Sequence, residues 1–125
     1  MPQISRAKCL KFKKDHLLYR ENDPIKGLSI FYIKKGKVQL KYALTGKKTL
    51  AISVPQGGLF GLFEALSGIN ARISSAVFQE DSIVYLWNKE DFVTEVSIVP
   101  ELGLKAIIFM SSFLRTLNRE IQKAG

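Results

Sequence analysis

Seven short segments with strand-like patterns follow one another along the first two thirds of the chain, and turn residues separate them. Polar and apolar residues alternate in KVQLKY at 37–42, the pattern of a strand with one buried face. The segments are 9–13, 16–20, 28–33, 37–42, 49–54, 73–79 and 83–87. Lys35-Gly36 predicts a hairpin between two of them, and Thr45-Gly46 a second turn. Strands this short, at such close spacing, predict a small antiparallel barrel or jelly roll.

The pattern changes at Asn88, where two helices are predicted. Asn88 is a suitable N-cap and acidic residues follow it, so a short helix should run to about Val96. Pro100 then opens a longer helix that should continue to about Gln122.

The long helix carries two apolar stripes at helical spacing. One consists of Ile107, Met110, Leu114, Leu117 and Ile121, and the other of Leu102, Ala106, Phe109 and Phe113. One stripe can cover the β-roll, and the other then needs a partner. A homodimer through this helix is therefore expected, although a wide apolar face could also simply cap its own domain.

Length and residue usage restrict the class of protein. We expect the 125 residues to form a single domain over 1–125, with a β-roll at about 9–88 and helices at about 89–122. With one cysteine and one histidine (Cys9 and His16), no disulfide framework can form, and a zinc site or a catalytic triad is not expected. No apolar run reaches membrane-spanning length and no signal peptide is present, so we predict a cytoplasmic protein without catalytic activity.

The stretch PQGGLFGLFEALSGINARISSAV at 55–77 contains the candidate site. Two glycines precede a short apolar helical turn, and Arg72 follows after a few small residues. The free N–H groups of a glycine-entered helix favour an anion, and an arginine fork suits phosphate oxygens. The alternative is a turn that only reverses the chain, with Arg72 as a surface or interface arginine paired with Glu64 or Glu80.

This stretch resembles the phosphate-binding cassette of the cyclic nucleotide-binding domain, the family of catabolite activator protein and protein kinase A regulatory subunits. Phe60-Gly61 stands at the family's Phe-Gly, and Arg72 at the arginine that grips the cyclic phosphate. The segment LSIFYIKKGKVQLKY also resembles the family, and the similarity extends over about 9–122. Leu62 occupies the position of the family's carboxylate for the ribose 2′-hydroxyl, and Glu64 lies about 200° further round a helix.

The resemblance implies an antiparallel β-roll followed by a short and a long α-helix. It also implies a regulatory, ligand-sensing module that binds cAMP or cGMP, without a further cofactor or a metal, and that dimerises through its last helix. The expected ligand-binding residues are Gly61, Leu62, Glu64, Arg72, Ile73, Ser74 and Ser75. Hydroxyls on the last helix, from Ser111, Ser112 or Thr116, would lie near the base.

Two other functions stay open. Leu62 favours a degenerate domain that serves as a dimerisation or protein-interaction module. Alternatively, the chain is a fragment of a transcription regulator: nothing after Gln122 can form a helix-turn-helix, so we expect no DNA binding by this chain alone. Residues 1–48 carry 13 Lys/Arg against 3 Asp/Glu, a basic half that could contact nucleic acid, a membrane surface or an acidic partner. The alternation of its lysines with apolar residues favours ordinary solvated strand faces instead.

Overall fold

A computed structural model describes residues 6–124, and in this range the chain forms eight β-strands, three α-helices and one 3₁₀ turn at Thr45–Lys47. The strands are β1 (Lys8–Phe12), β2 (Leu17–Tyr19), β3 (Ile30–Lys35), β4 (Lys37–Ala43), β5 (Thr49–Pro55), β6 (Leu59–Phe60), β7 (Ser75–Phe78) and β8 (Ser82–Trp87). The helices are α1 (Leu62–Ser67), α2 (Lys89–Ile98) and α3 (Pro100–Ala124). The fold is the predicted antiparallel β-roll followed by a short and a long helix.

The strands form two four-stranded antiparallel sheets, in the orders β1-β8-β3-β6 and β2-β7-β4-β5. The turn at Thr45-Gly46 joins the true hairpin β4–β5, in which Val38 pairs with Val54. The predicted hairpin at Lys35-Gly36 is wrong, because β3 and β4 belong to different sheets.

Gly36 marks the corner at which the chain passes from one sheet to the other. Its φ of 110° is the positive value that the sequence predicts, but the reason is a close approach rather than a hairpin turn. A Cβ at this position would overlap the side chain of Ser82, whose hydroxyl accepts a hydrogen bond from the Lys37 N–H at 3.3 Å. Glycine thus lets two strands of one continuous run leave the corner at different angles.

Two apolar clusters stabilise the roll. The inner one lies between the sheets and includes Phe31, Phe60 and Phe78. The outer one joins β3 and β8 to the helices, through Trp87 of β8 and Leu102 of α3, both fully buried. The helices are therefore anchored directly to the strands that precede and follow the candidate site.

Asn88 caps α2 as predicted, because its side-chain oxygen accepts a 2.7 Å hydrogen bond from the Asp91 N–H. The chain then bends by 117° before α3. The stripe that contains Leu102 and Ala106 is buried on the roll, whereas Ile107 remains 66% exposed. Within 6–124, no single helix has the length and apolarity to cross a bilayer, although the bent pair α2 and α3 would qualify jointly by length and composition.

Candidate functional site

A small cavity lies inside the roll, beneath α3. The segment 55–77 lines one side of it with residues 59–64, 73 and 74, while Phe109, Met110 and Phe113 of α3 close the top. Its volume is about 20 Å³, which is room for about one water molecule. The cavity is therefore closed in this conformation.

The side chains that close it come from α3 and are aromatic or apolar. Phe109 and Phe113 lie one turn apart, and their rings are stacked with centroids 5.9 Å apart. The resemblance predicted hydroxyls from α3 near a base, but Ser111, Ser112 and Thr116 do not line the cavity. The helix turns the aromatic stripe inward because that stripe continues the buried face of Leu102 and Ala106.

Arg72 is held in place by its own backbone before β7 begins. Its N–H donates to the Asp23 carbonyl at 2.9 Å, and its carbonyl accepts from the Asn22 N–H at 2.8 Å. The side chain is only 5% exposed, and the guanidinium lies 4.2 Å above the ring centre of Tyr19 and 5.4 Å from that of Phe31. A position this close to aromatic rings is a favourable environment for a guanidinium.

The guanidinium is paired with Glu64. Nη1 of Arg72 lies 3.4 Å from Oε2 of Glu64, and it also donates to the Ser29 carbonyl at 3.3 Å. Both charged side chains are 5% exposed, so this is a buried ion pair. Of the two partners that the sequence offered in the alternative interpretation, the structure selects Glu64, and the arginine is not a surface residue.

Glu64, but not Arg72, is among the residues that line the closed cavity under α3. Arg72 instead lines a second, open cleft of about 270 Å³, with Tyr19, Phe31 and Lys26. In this conformation Arg72 therefore does not line the cavity that Leu62, Ile73 and Ser74 share.

Gly61 is the N-cap of α1 and has a φ of 78°, in the left-handed region. A Cβ there would collide with the Ser29 carbonyl and would lie 3.1 Å from Nη1 of Arg72. The helix that follows has only six residues, and its inward acid is Glu64. The helix predicted to bind an anion thus carries a buried carboxylate in its own first turn, and the missing side chain of Gly61 is what leaves room beside the arginine.

The remaining predicted residues divide into two groups. Leu62, Ile73 and Ser74 line the closed cavity, and Leu62 is also part of the outer apolar cluster, with 1% exposure. Ser75 does not line it, and its hydroxyl accepts a hydrogen bond from the Glu21 N–H at 2.9 Å. Because successive residues of a strand face opposite sides, only Ser74 of the two serines points inward.

Two functional candidates escaped the sequence analysis, Tyr19 and Tyr42. Both line the cavity, and both hydroxyls interact with Ser74. Burial raises the pKa of each tyrosine well above its ordinary value, and the nearby Glu64 carboxylate raises it further. Both phenols therefore stay protonated and can donate hydrogen bonds. A buried tyrosine in place of phenylalanine was the available signal, since its hydroxyl needs a partner.

The site is thus a closed, mainly apolar cavity with neutral hydroxyls, next to a buried arginine on the glycine-containing segment between β6 and β7. Together with the two-sheet roll and the covering helix, this arrangement defines a β-roll domain with a candidate ligand cavity under its last helix. The family model described as the cyclic nucleotide-binding domain matches residues 9–97. The chain belongs to the cyclic nucleotide-binding domain family.

Solved structures agree on the fold. The Thermus thermophilus catabolite activator protein superposes with a TM-score of 0.73 at 19% identity, over 94% of this chain and 55% of that chain. The c-di-GMP responsive global regulator CLP of Xanthomonas campestris superposes with a TM-score of 0.77 at 13% identity, over 95% of this chain and 58% of that chain. A cAMP-binding acyltransferase from Mycobacterium smegmatis superposes with a TM-score of 0.63 at 22% identity, over 71% of this chain and 27% of that chain.

This chain therefore spans about half the length of the first regulator and about a quarter of the acyltransferase. At these identities the similarity establishes the fold alone. No curated protein matches the chain at a significant level.

Proposed function

We propose that this chain is a regulatory module that binds a cyclic mononucleotide, cAMP or cGMP, with the cyclic phosphate on Arg72. The observation that carries the proposal is the 5% exposed guanidinium on the cassette segment, beside a glycine whose missing side chain leaves space. A buried cation of this kind gains most from an anionic partner. The proposed role is binding and not catalysis.

Ligand binding requires the cavity to open. A ligand of nucleotide size needs a pocket of several hundred Å³, whereas the closed cavity has about 20 Å³. Phe109, Met110 and Phe113 occupy the side from which the space can grow, because the other lining residues belong to the strands and the cassette of the roll itself. Binding would therefore displace α3, and a ligand that prefers the open arrangement would shift the helix population toward it.

The polar groups of the cavity fit the same ligand. Tyr19, Tyr42 and Ser74 are neutral donors whose hydroxyls can reach sugar or phosphate oxygens once the cavity opens. Leu62 offers only an apolar surface at the position where the family has its ribose-binding carboxylate. Contact with the sugar would then depend on these hydroxyls.

Calorimetric titration with cAMP and cGMP tests the proposal. Arg72→Gln should abolish the binding heat or weaken affinity by about 100-fold, since a charge-assisted contact to phosphate is lost. Arg20→Gln, on an exposed arginine of the same region, serves as the matched control and should bind like wild type. Equal affinities of wild type and Arg72→Gln would remove Arg72 from the mechanism.

We also propose a homodimer through α3. Leu114 and Ile121 are 46% and 45% exposed and lie on the same stripe as Ile107, so an apolar seam remains uncovered. Sedimentation analysis should give a dimer for wild type and for Ser112→Glu, an exposed position outside the seam. Leu114→Glu should give a monomer. A monomeric wild type would contradict the proposal.

A second candidate function is a degenerate domain that acts only as a dimerisation or interaction module. The observations that favour it are Leu62, the internal pairing of Arg72 with Glu64 and the closed cavity. No thermal stabilisation by any cyclic nucleotide, together with a stable dimer, would establish it. For the other alternative, a fragment of a transcription regulator, a salt-dependent gel shift of duplex DNA by this chain would be needed to assign DNA binding to the basic half.

A further inference from the structure

The guanidinium of Arg72 already has an anionic partner within the protein, the carboxylate of Glu64. Nη1 divides its hydrogen bonds between Oε2 of Glu64 at 3.4 Å and the carbonyl of Ser29 at 3.3 Å. Both distances are long for charge-assisted contacts, and the carboxylate is not gripped by two parallel N–H groups. The ion pair is buried, but its geometry is weak. An anion that binds the guanidinium with better geometry can therefore replace the carboxylate.

The carboxylate also opposes an anion that enters under α3. Glu64 lines the closed cavity and Arg72 does not, and the carboxylate lies 3.4 Å from the guanidinium, so an anion that reaches Arg72 from this side comes close to the negative charge. At 4% exposure little solvent screens that repulsion. The field of this carboxylate reaches across the cavity, since it contributes to the raised pKa of Tyr19 and of Tyr42.

A second space beside Glu64 can accept its side chain. Glu64 also lines a cleft of about 330 Å³ on the outer side of α1, which is open to solvent. The charged groups of that cleft besides Glu64 are Lys89 and Glu90, at the start of α2. A carboxylate that leaves Arg72 in this direction would regain water and approach the ammonium group of Lys89.

We propose that Glu64 is an internal competitor of the ligand anion for Arg72, and that it sets the affinity of the site. Anion binding replaces the carboxylate on the guanidinium, and Glu64 moves toward the outer cleft. This inference rests on the proposed function for the identity of the ligand, but the competition itself requires only that an anion reaches Arg72. It makes the closed conformation an autoinhibited one.

The test compares wild type, Glu64→Gln and Glu80→Gln by calorimetric titration with cAMP. Glu80 is an exposed acid at the β7–β8 turn, so its substitution changes the net charge equally without touching the pair. Glu64→Gln should bind about tenfold tighter than wild type or better, because the buried guanidinium then lacks an anion. Glu80→Gln should bind like wild type. Equal or weaker binding by Glu64→Gln would overturn the inference and leave the proposed function standing.

If neither wild type nor Glu64→Gln binds a cyclic nucleotide, a second experiment separates the two proposals. Thermal unfolding is then followed in inorganic phosphate, with chloride at the same ionic strength as the reference. Phosphate should raise the Tm of Glu64→Gln more than that of wild type, and the double variant Glu64→Gln/Arg72→Gln should show no such rise. That result keeps the competition while the nucleotide proposal fails, and the absence of a rise removes both.

Glu64→Gln leaves a buried cation unpaired. If that variant fails to fold, a milder substitution tests the same inference. Glu64→Asp keeps the charge on a shorter side chain and withdraws it from Nη1 beyond the present 3.4 Å. The competition is weakened, and cAMP or phosphate should bind several-fold tighter than in wild type. Unchanged or weaker binding by Glu64→Asp would overturn the inference.

Discussion

Replacing Gly61 by alanine tests the packing that leaves room beside the arginine. The φ of 78° is in the left-handed region, which costs a residue with a Cβ about 1–2 kcal/mol. The new methyl group would also collide with the Ser29 carbonyl, which is backbone and cannot rotate away, and it would lie 3.1 Å from Nη1 of Arg72. Overpacking of this kind costs about 1–3 kcal/mol more.

The chain supplies a matched control for the strain. Gly46, in the β4–β5 turn, has a φ of 76°, and a Cβ there would meet no atom within 4 Å. Gly46→Ala should therefore be destabilised only by the left-handed backbone conformation, by about 1–2 kcal/mol. The difference between the two variants isolates the collision from the backbone term.

Thermal unfolding by circular dichroism measures this difference. For a domain of this size, about 1 kcal/mol corresponds to roughly 3–6 °C in Tm, so Gly61→Ala should lose about 10 °C or more. Gly46→Ala should lose about 5 °C. Equal losses in both variants would refute the close packing of Ser29 and Arg72 around Gly61.

Two further predictions concern stability. The pKa of Tyr19 and of Tyr42 is raised above the ordinary 10.0, so as the pH rises through that value the unfolded state loses its protons first and stability falls. The slope should be about 1.4 kcal/mol per pH unit for each tyrosine, and Tyr19→Phe should lessen the slope in alkaline urea titrations. An unchanged slope would contradict the burial of that phenol. Asn88→Ala should cost about 1 kcal/mol through the lost hydrogen bond to Asp91, and no change in Tm would show that the cap does not stabilise α2.

Local signals account for what the sequence could predict about the fold. Asn88 and Pro100 fix the starts of α2 and α3 because capping and the missing proline N–H act within one turn. Gly36 has the predicted positive φ, but the sequence could not show that its neighbour is Ser82 of a distant strand. The hairpin prediction failed for that reason, since a glycine turn does not record which sheet the next strand joins.

The sequence singled out the segment that contains Gly61 and Arg72, and the structure brings these two residues next to each other. The sequence also offered Glu64 as one of two ion-pair partners for Arg72, but the choice between them depends on how α1 rotates after a left-handed cap. The contact of Arg72 with Tyr19 joins segments more than fifty residues apart, and such a contact leaves no periodic trace in a single sequence.

A crystal structure of the chain grown with cAMP tests most directly whether the ligand phosphate replaces Glu64 on Arg72. We expect phosphate oxygens within about 3 Å of the Arg72 guanidinium, Glu64 withdrawn from Nη1, and Phe109 and Phe113 displaced with α3. A nucleotide bound elsewhere, or an unchanged pair of Arg72 and Glu64 beneath a closed helix, would contradict this expectation.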